Sequence, residues 1–402
     1  MTQRDWFEIG ARVAVENGGA GVDVRFGSGR VAEIGDFLLR SGVESVMLVT
    51  SPNVGSNAAV IGPVRQSLAG LEVREYFDVS RGKHVSSLYK GIEAMAESDV
   101  QAIVGIGGGG SLDTARQMSA FAADGRPMSD VQDSVRAEQN LSLNVVDPID
   151  VVLVPTTLAG ADLSSGGSIE VLSPDESPDG LPKRINPRNV APRAVFYDPE
   201  LYRSTPVERL AGSAMNGLNK GIETIYSASG TPYSDAVSTH GVTLMARGLV
   251  GLAGGAGSLP DVVAGLILVQ LQRRISVLHA FGHAVARHTP IQQGVAHAVV
   301  TPHVLRMLLS VSEIRRDLLA RSLRAAGLAD GVDDEADAIL HAVTRVRDDL
   351  GLPASFTALG YADDLDIEVL ARHVCSDSLM EASPLGRPLT VSEARGVFEA
   401  AL

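Results

Sequence analysis

The chain has 402 residues, 45% hydrophobic and 20% charged, the balance of a globular protein long enough for two domains with a core each. Its 48 acidic residues against 34 basic ones give a formal charge of −14. That argues against a nucleic-acid partner, which needs clustered positive charge, yet leaves room for a small anionic molecule at one local cation. The lone Cys375 excludes an intramolecular disulfide and an all-cysteine metal cluster, and fits a reducing, cytoplasmic setting.

Residues Met1 to Phe7 lack a basic stretch followed by an apolar one, so no secretory signal is expected. Ser45 to Thr50 reads as a buried strand and Val54 to Leu68 as the helix after it. Val73 to Phe77 is a second strand, Ser86 to Glu97 a helix, and Ala102 to Ile106 a buried strand ending in glycines. Ser111 to Ala122 has helical periodicity, and Val151 to Val154 and Ala194 to Tyr197 are further apolar strands. Two polar excursions interrupt them, Asp124 to Asp147 (an inserted loop with a short helix) and Ser173 to Asn189. Strands alternating with helices predict a mostly parallel, doubly wound sheet. After Asp198-Pro199 the character changes. Helical spacing dominates over Ser234 to Leu252, Pro260 to His288, Val295 to Val311, Arg316 to Ala326 and Glu335 to Leu350, with short helices after Gly351-Leu352-Pro353. The most apolar run, Leu249 to Val269, is rich in Gly and Ala and contains Asp261, which favours a buried helix or helix pair over a membrane span. The expected organisation is an α/β domain over residues 1–200 and an all-helical domain over residues 201–402.

Gly105 to Ser111 follows a strand and opens a helix, the context in which exposed N–H groups at a helix start hold a pyrophosphate. It is neither the usual G-x-G-x-x-G fingerprint at a first strand nor a P-loop, and a plain tight turn is the bland alternative. Asp113 either favours the helix start or marks its ligand-facing edge. Pro155 to Asp162 places small and hydroxyl-bearing residues after the next strand, where open α/β sheets carry ligand crevices; an ordinary loop reads equally well. His279 and His283 share a helical face, as do Asn216 and Lys220. The histidines fit one core residue beside one pocket residue, and most lysines in such a place cap a helix or face water. His288, His297 and His303 read as structural or surface residues. Only four of the 34 basic residues are lysines, so Lys220 is already a rare choice.

These pieces, in this order, resemble the iron-containing alcohol dehydrogenase superfamily, and most closely its maleylacetate reductase branch. The matches run from Val24 to Gly29 through Gly108 to Asp113, Pro155-Thr156-Thr157, Phe196 to Pro199, Met215 to Tyr226 and His279 to His283, to Gly386 to Thr390. The resemblance implies a dehydroquinate synthase-like architecture: an α/β domain that binds NADH or NADPH, a helical domain, an active site in the cleft between, and a homodimer. It implies Gly108, Gly109, Gly110 and Ser111 at the pyrophosphate, and Asp113, Thr156, Thr157 and Leu158 near the nicotinamide. Ser51 to Asn53 would lie near the adenosine or phosphate side. The positions that hold a divalent metal in such enzymes correspond to Asn216, Lys220, His279 and Gln293, of which His279 alone keeps the family's residue. Carboxamides are poor ligands for zinc or iron and an ammonium repels the ion, so no catalytic metal is expected.

The resulting expectation is a metal-independent NAD(P)H-dependent reductase of a carbonyl or polarised alkene in a small, oxygenated metabolite, carboxylated or not. Lys220, His279 and His283 would carry the catalysis and Asn216, Gln293 and Asp162 would bind substrate. Two other readings keep the fold. One is a lyase, isomerase or cyclase using Lys220 as a base or Schiff-base nucleophile; the other is a non-catalytic scaffold, against which the intact glycines argue. No nucleic-acid or membrane partner is expected.

Overall fold

The computed structural model describes residues 9–13, 21–138, 141–188, 190–311 and 314–402; the reading at Met1 to Phe7 lies outside them. Two compact units emerge, Met1–Thr157 with Ala161–Thr205, and Leu158–Gly160 with Pro206–Leu402. The chain passes to the helical unit after Thr205, and three residues of the loop after Thr157 also pack with that unit.

The first unit carries strands β1 (Ile9–Val13), β2 (Val22–Phe26), β3 (Ser45–Val49), β4 (Glu72–Tyr76), β5 (Ala102–Gly107), β6 (Asp150–Pro155), β7 (Ile169–Leu172), β8 (Lys183–Ile185) and β9 (Ala194–Tyr197). Seven of them form one sheet in the order β1-β2-β9-β6-β5-β3-β4, while β7 and β8 form a separate antiparallel ribbon. Every pairing from β2 to β4 is parallel, and β1 lies antiparallel at the edge. The central strands β3, β5 and β9 are buried at every position, as a parallel sheet covered on both faces requires. At the opposite edge β4 exposes Glu72, Arg74 and Glu75, charges that discourage pairing with another chain. The helices of this unit are α1 (Ile34–Leu39), α2 (Pro52–Gly55), α3 (Ala58–Ser67), α4 (Val85–Ala96), α5 (Gly109–Asp124), α6 (Met128–Glu138) and α7 (Pro199–Tyr202). The one helix expected over Val54 to Leu68 is two, because Asn57 takes extended backbone and caps α3, its side chain accepting from the Ala59 N–H.

The second unit is helical: α8 (Val207–Tyr226), α9 (Pro232–Leu249), α10 (Leu259–Leu271), α11 (Val277–His288), α12 (Gln293–Val311), α13 (Arg316–Ala325), α14 (Glu335–Asp349), α15 (Ile367–Ser376) and α16 (Val391–Ala400). From Leu210 to Tyr226, α8 is buried at all but two positions, Ser213 and Asn216, so it is the central post of the unit. A Cβ on Gly217 would run into the Leu158 carbonyl, and one on Gly294 into that of Gly212. Glycine at these two places lets the Leu158–Gly160 loop and α12 lie directly on α8. The long run Pro260 to His288 is two helices, broken where the Ser276 N–H turns to the Glu223 carboxylate. Among the described residues no helix is long and apolar enough to cross a membrane; the Leu249 to Val269 run is the end of α9, a turn and most of α10.

Candidate active site

In the α/β unit the chemistry gathers at the carboxyl ends of β5 and β6, where Gly107 pairs with Pro155. Gly107 has φ +125°, a conformation that side chains rarely adopt, and Gly108 then caps α5 without any side chain. A Cβ on Gly108 would come within 3.0 Å of Thr157 Cγ2, and one on Gly110 within 3.7 Å of Lys83 Cγ. The bare backbone therefore leaves a shallow cradle over the first N–H groups of a sixteen-residue helix, which attract an anion. Ser111 is buried beneath it against Gly107. Thr156 extends the floor, its N–H donating to the Gly107 carbonyl at 2.9 Å and its own carbonyl accepting from Thr205 Oγ1 at 2.8 Å.

Asp113, one turn into α5, is clamped by two cations. Lys83 Nζ donates to Oδ2 at 2.8 Å and the fully buried Arg116 to Oδ1 at 2.6 Å. Arg116 also reaches the Asp162 carbonyl at 3.3 Å. Of the two readings of Asp113, the helix-start role is thereby overshadowed by an ion-pair role, and Lys83 and Arg116 are site neighbours the sequence did not single out. Asp162, expected near substrate, is buried in this unit beside Tyr202, whose hydroxyl its charge pushes further up after burial. Ser51 sits half-buried just before α2 and Asn53 is exposed on it, without side-chain hydrogen bonds among the described residues.

The helical unit holds a hydrogen-bonded chain along one face of α8. Lys220 Nζ donates to the Ala159 carbonyl at 2.7 Å and to Asn216 Oδ1 at 3.1 Å. His279 Nε2 meets the same Asn216 oxygen at 3.0 Å, and its Nδ1 makes a short contact with Glu223 Oε2. An oxygen that already accepts from an ammonium accepts again from His279, so Nε2 carries a proton. Glu223 Oε1 takes three donors, the N–H groups of Ser276 and His279 and the Tyr226 hydroxyl, at 2.9, 3.1 and 3.2 Å. Burial pushes the Glu223 carboxyl up to about 7 against the pull of those donors and of Lys220. Burial, then Lys220 and His283, hold His279 well below the usual histidine range. One proton between Oε2 and Nδ1, with Nε2–H kept, satisfies every contact. His279 is thus neutral within a proton-replete dyad, and both its nitrogens are committed.

His283, one turn on along α11, differs. Its Nδ1 lies 2.9 Å from Asp377 Oδ2, its side chain is 38% exposed, and no hydrogen bond engages Nε2 among the described residues. Gln293 opens α12 with its stem against Gly282, and its carboxamide has no hydrogen bond among the described residues. The structure therefore brings Asn216, Lys220, His279 and His283 together with Gln293 at the margin, and seats Leu158, through its N–H to Ser213 Oγ at 3.0 Å, in this unit. His297, read as structural, is fully buried with its ring 4.8 Å from that of His279. Glu223, Tyr226 and Asp377 were missed. Among the described residues no group of three or more His, Cys, Asp or Glu side chains is arranged to hold a metal.

One unit thus carries a glycine-opened helix at the carboxyl edge of a parallel sheet, and the other a hydrogen-bonded chain of lysine, carboxamide, histidine and carboxylate side chains. The family comparison is specific. The iron-containing alcohol dehydrogenase model matches residues 22–199 and the Fe-containing alcohol dehydrogenase C-terminal model residues 210–402, so the chain belongs to the iron-containing alcohol dehydrogenase family. It is similar to the NAD-dependent methanol dehydrogenase of Bacillus methanolicus, with 25% identity over 94% of this chain and 97% of that one. Maleylacetate reductase 1 of Rhodococcus opacus is 25% identical over 85% of each. The alcohol dehydrogenase from Oenococcus oeni shares the fold, at a TM-score of 0.80 and 19% identity over 94% of this chain and 98% of that one. The family assignment makes the protein an oxidoreductase.

Proposed function

We propose that this enzyme is a reductase that works without a metal, using NADH or NADPH to reduce a carbonyl or polarised alkene in a small, oxygenated metabolite, carboxylated or not. The observation that carries the reading is the Lys220 ammonium, fixed by the Ala159 carbonyl and Asn216 Oδ1 beside His279. A divalent ion does not fit this donor set: a cation already stands on the Asn216 oxygen, both His279 nitrogens are occupied, and Gln293 offers only a carboxamide. No step is therefore routed through a metal.

The cradle at Gly108 to Ser111 fits the pyrophosphate of a dinucleotide, with Thr156 and Thr157 beside it. Bound NAD(P)H supplies the hydride. As hydride reaches carbon, negative charge builds on the substrate oxygen, and the Lys220 charge stabilises it. His283 then delivers the proton from Nε2, the ring nitrogen left open, so that the carbonyl becomes an alcohol and the cofactor is oxidised. His279 acts differently from its expected role as donor: with both nitrogens bound it holds Asn216, and through Asn216 it aims Lys220. Toward Ala159 and Asn216, Lys220 Nζ acts as an N–H donor, which favours a charge-supplying role over a Schiff-base nucleophile.

The test is Lys220→Met, which keeps the stem and removes the charge, assayed by NADPH oxidation with a panel of keto and enone acids including maleylacetate. The expected result is a fall in kcat of roughly 10²–10³-fold with nucleotide affinity kept. Unchanged turnover and substrate affinity would end the proposal, and borohydride trapping of substrate on Lys220 would replace it with the covalent reading.

A further inference from the structure

We infer that Asp377 is a positioning residue that fixes the ring of His283 in the tautomer with its proton on Nδ1, leaving Nε2 to exchange protons with the substrate oxygen. The inference rests on His283 as the proton donor, but its own evidence is geometric. Asp377 stands at the junction of α15 with the short helix Ser378–Ala382, where its Oδ1 accepts from the Leu379 N–H at 2.9 Å. That bond locks the carboxylate and turns Oδ2 toward His283 Nδ1, at 2.9 Å. The Asp377 side chain is only 10% exposed, so the carboxylate is largely shielded from water while the His283 ring keeps an open side.

The neighbouring groups leave this pairing uncontested. His373, one turn earlier on α15, has Nδ1 against His288 Nε2 at 3.1 Å and Nε2 against the Arg287 guanidinium at 3.4 Å. His279 faces His283 ring to ring, with centroids 6.4 Å apart, and keeps its nitrogens for Glu223 and Asn216. Asp377 Oδ2 thus has one ring N–H to bind. A carboxylate on Nδ1–H dictates which nitrogen is free and stabilises the imidazolium before it gives up its Nε2 proton. When that proton passes to the substrate alkoxide, Nδ1–H stays on Asp377 and the neutral ring recovers a proton from water. No bond to Asp377 is made or broken.

Two variants separate this role from capping. Asp377→Ser keeps a hydroxyl oxygen to cap Leu379, since serine caps helices well, but presents no carboxylate to the ring. Asp377→Asn keeps the size; with its one oxygen on Leu379 it turns an NH₂ toward Nδ1 and demands the opposite tautomer. Histidine ¹⁵N spectra at alkaline pH, on the full-length ligand-free protein, read the tautomer without substrate. The wild type should show His283 protonated at Nδ1, and both variants should shift it to Nε2 while NADPH affinity stays within about twofold. With the keto or enone acid the wild type turns over best, kcat should fall roughly 10²–10⁴-fold with KM little changed. A tautomer unmoved in both variants, or full kcat despite an inverted tautomer, would overturn the inference. His283→Gln is the separate check on the proton-donor reading: full activity there would sink that reading whatever Asp377 does.

Discussion

Glu223 and His279 form a buried pair whose protons can be counted through unfolding. In the unfolded chain between about pH 4.5 and 6.5, their ordinary values, the pair carries one proton, on histidine. The folded pair also carries one, because burial raises Glu223 to about 7 and depresses His279. A raised acid loses stability as pH climbs and a depressed histidine gains it, so across this window the two cancel. Glu223→Gln removes one side of the balance. Its stability should then climb with pH toward 6.5 by up to about 1.4 kcal/mol per unit relative to wild type, read from urea unfolding at several pH values. A variant whose difference from wild type does not change with pH would show that the pair does not share a proton. Residue spacing made part of this visible beforehand. Asn216 and Lys220 were legible as a four-residue step, and the same rule extended to Glu223, three residues beyond Lys220, reaches the His279 partner. Asp377, 94 residues from His283, has no local signal at all.

Elements were legible where periodicity was strong and lost where a hydrogen bond, not composition, broke the run. Strands β3, β5, β6 and β9 stood out as apolar blocks. β2 went unread as a strand although Val-Asp-Val-Arg-Phe alternates and its burial alternates with it. The break between α10 and α11 contains no proline or glycine; it is made by the Glu223 carboxylate accepting from Ser276, which only the folded unit reveals. Packing of helix on helix was equally hidden. At Gly294 a methyl group would collide with the Gly212 carbonyl of α8, so Gly294→Ala should destabilise the protein by about 3 kcal/mol, the upper range for overpacking. Chemical denaturation measures this. A variant as stable as wild type would mean that α12 withdraws from α8 without cost.

At the scale of the whole chain, the proposed function divides the work between the two units: the glycine-opened helix of one would take the dinucleotide, and the side-chain chain of the other would supply charge and protons. The family assignment covers both, and the fold was legible because each half keeps its own pattern, strand-helix alternation before Asp198 and helical spacing after it. The handover of Leu158–Gly160 to the helical unit was not, since three residues carry no period; it is the Ala159 carbonyl on Lys220 and the Leu158 N–H on Ser213 that assign them. In the proposed function a lysine charge stands in for the metal ion of the family. That role is tested most directly by a fluorescence titration of the chelator-treated protein with NADPH and NADH, followed by turnover of the keto and enone acid panel before and after adding Zn²⁺ or Fe²⁺. Saturable micromolar binding is expected, with turnover that added metal does not raise. Binding or activity that appears only when a stoichiometric divalent ion is restored would contradict it.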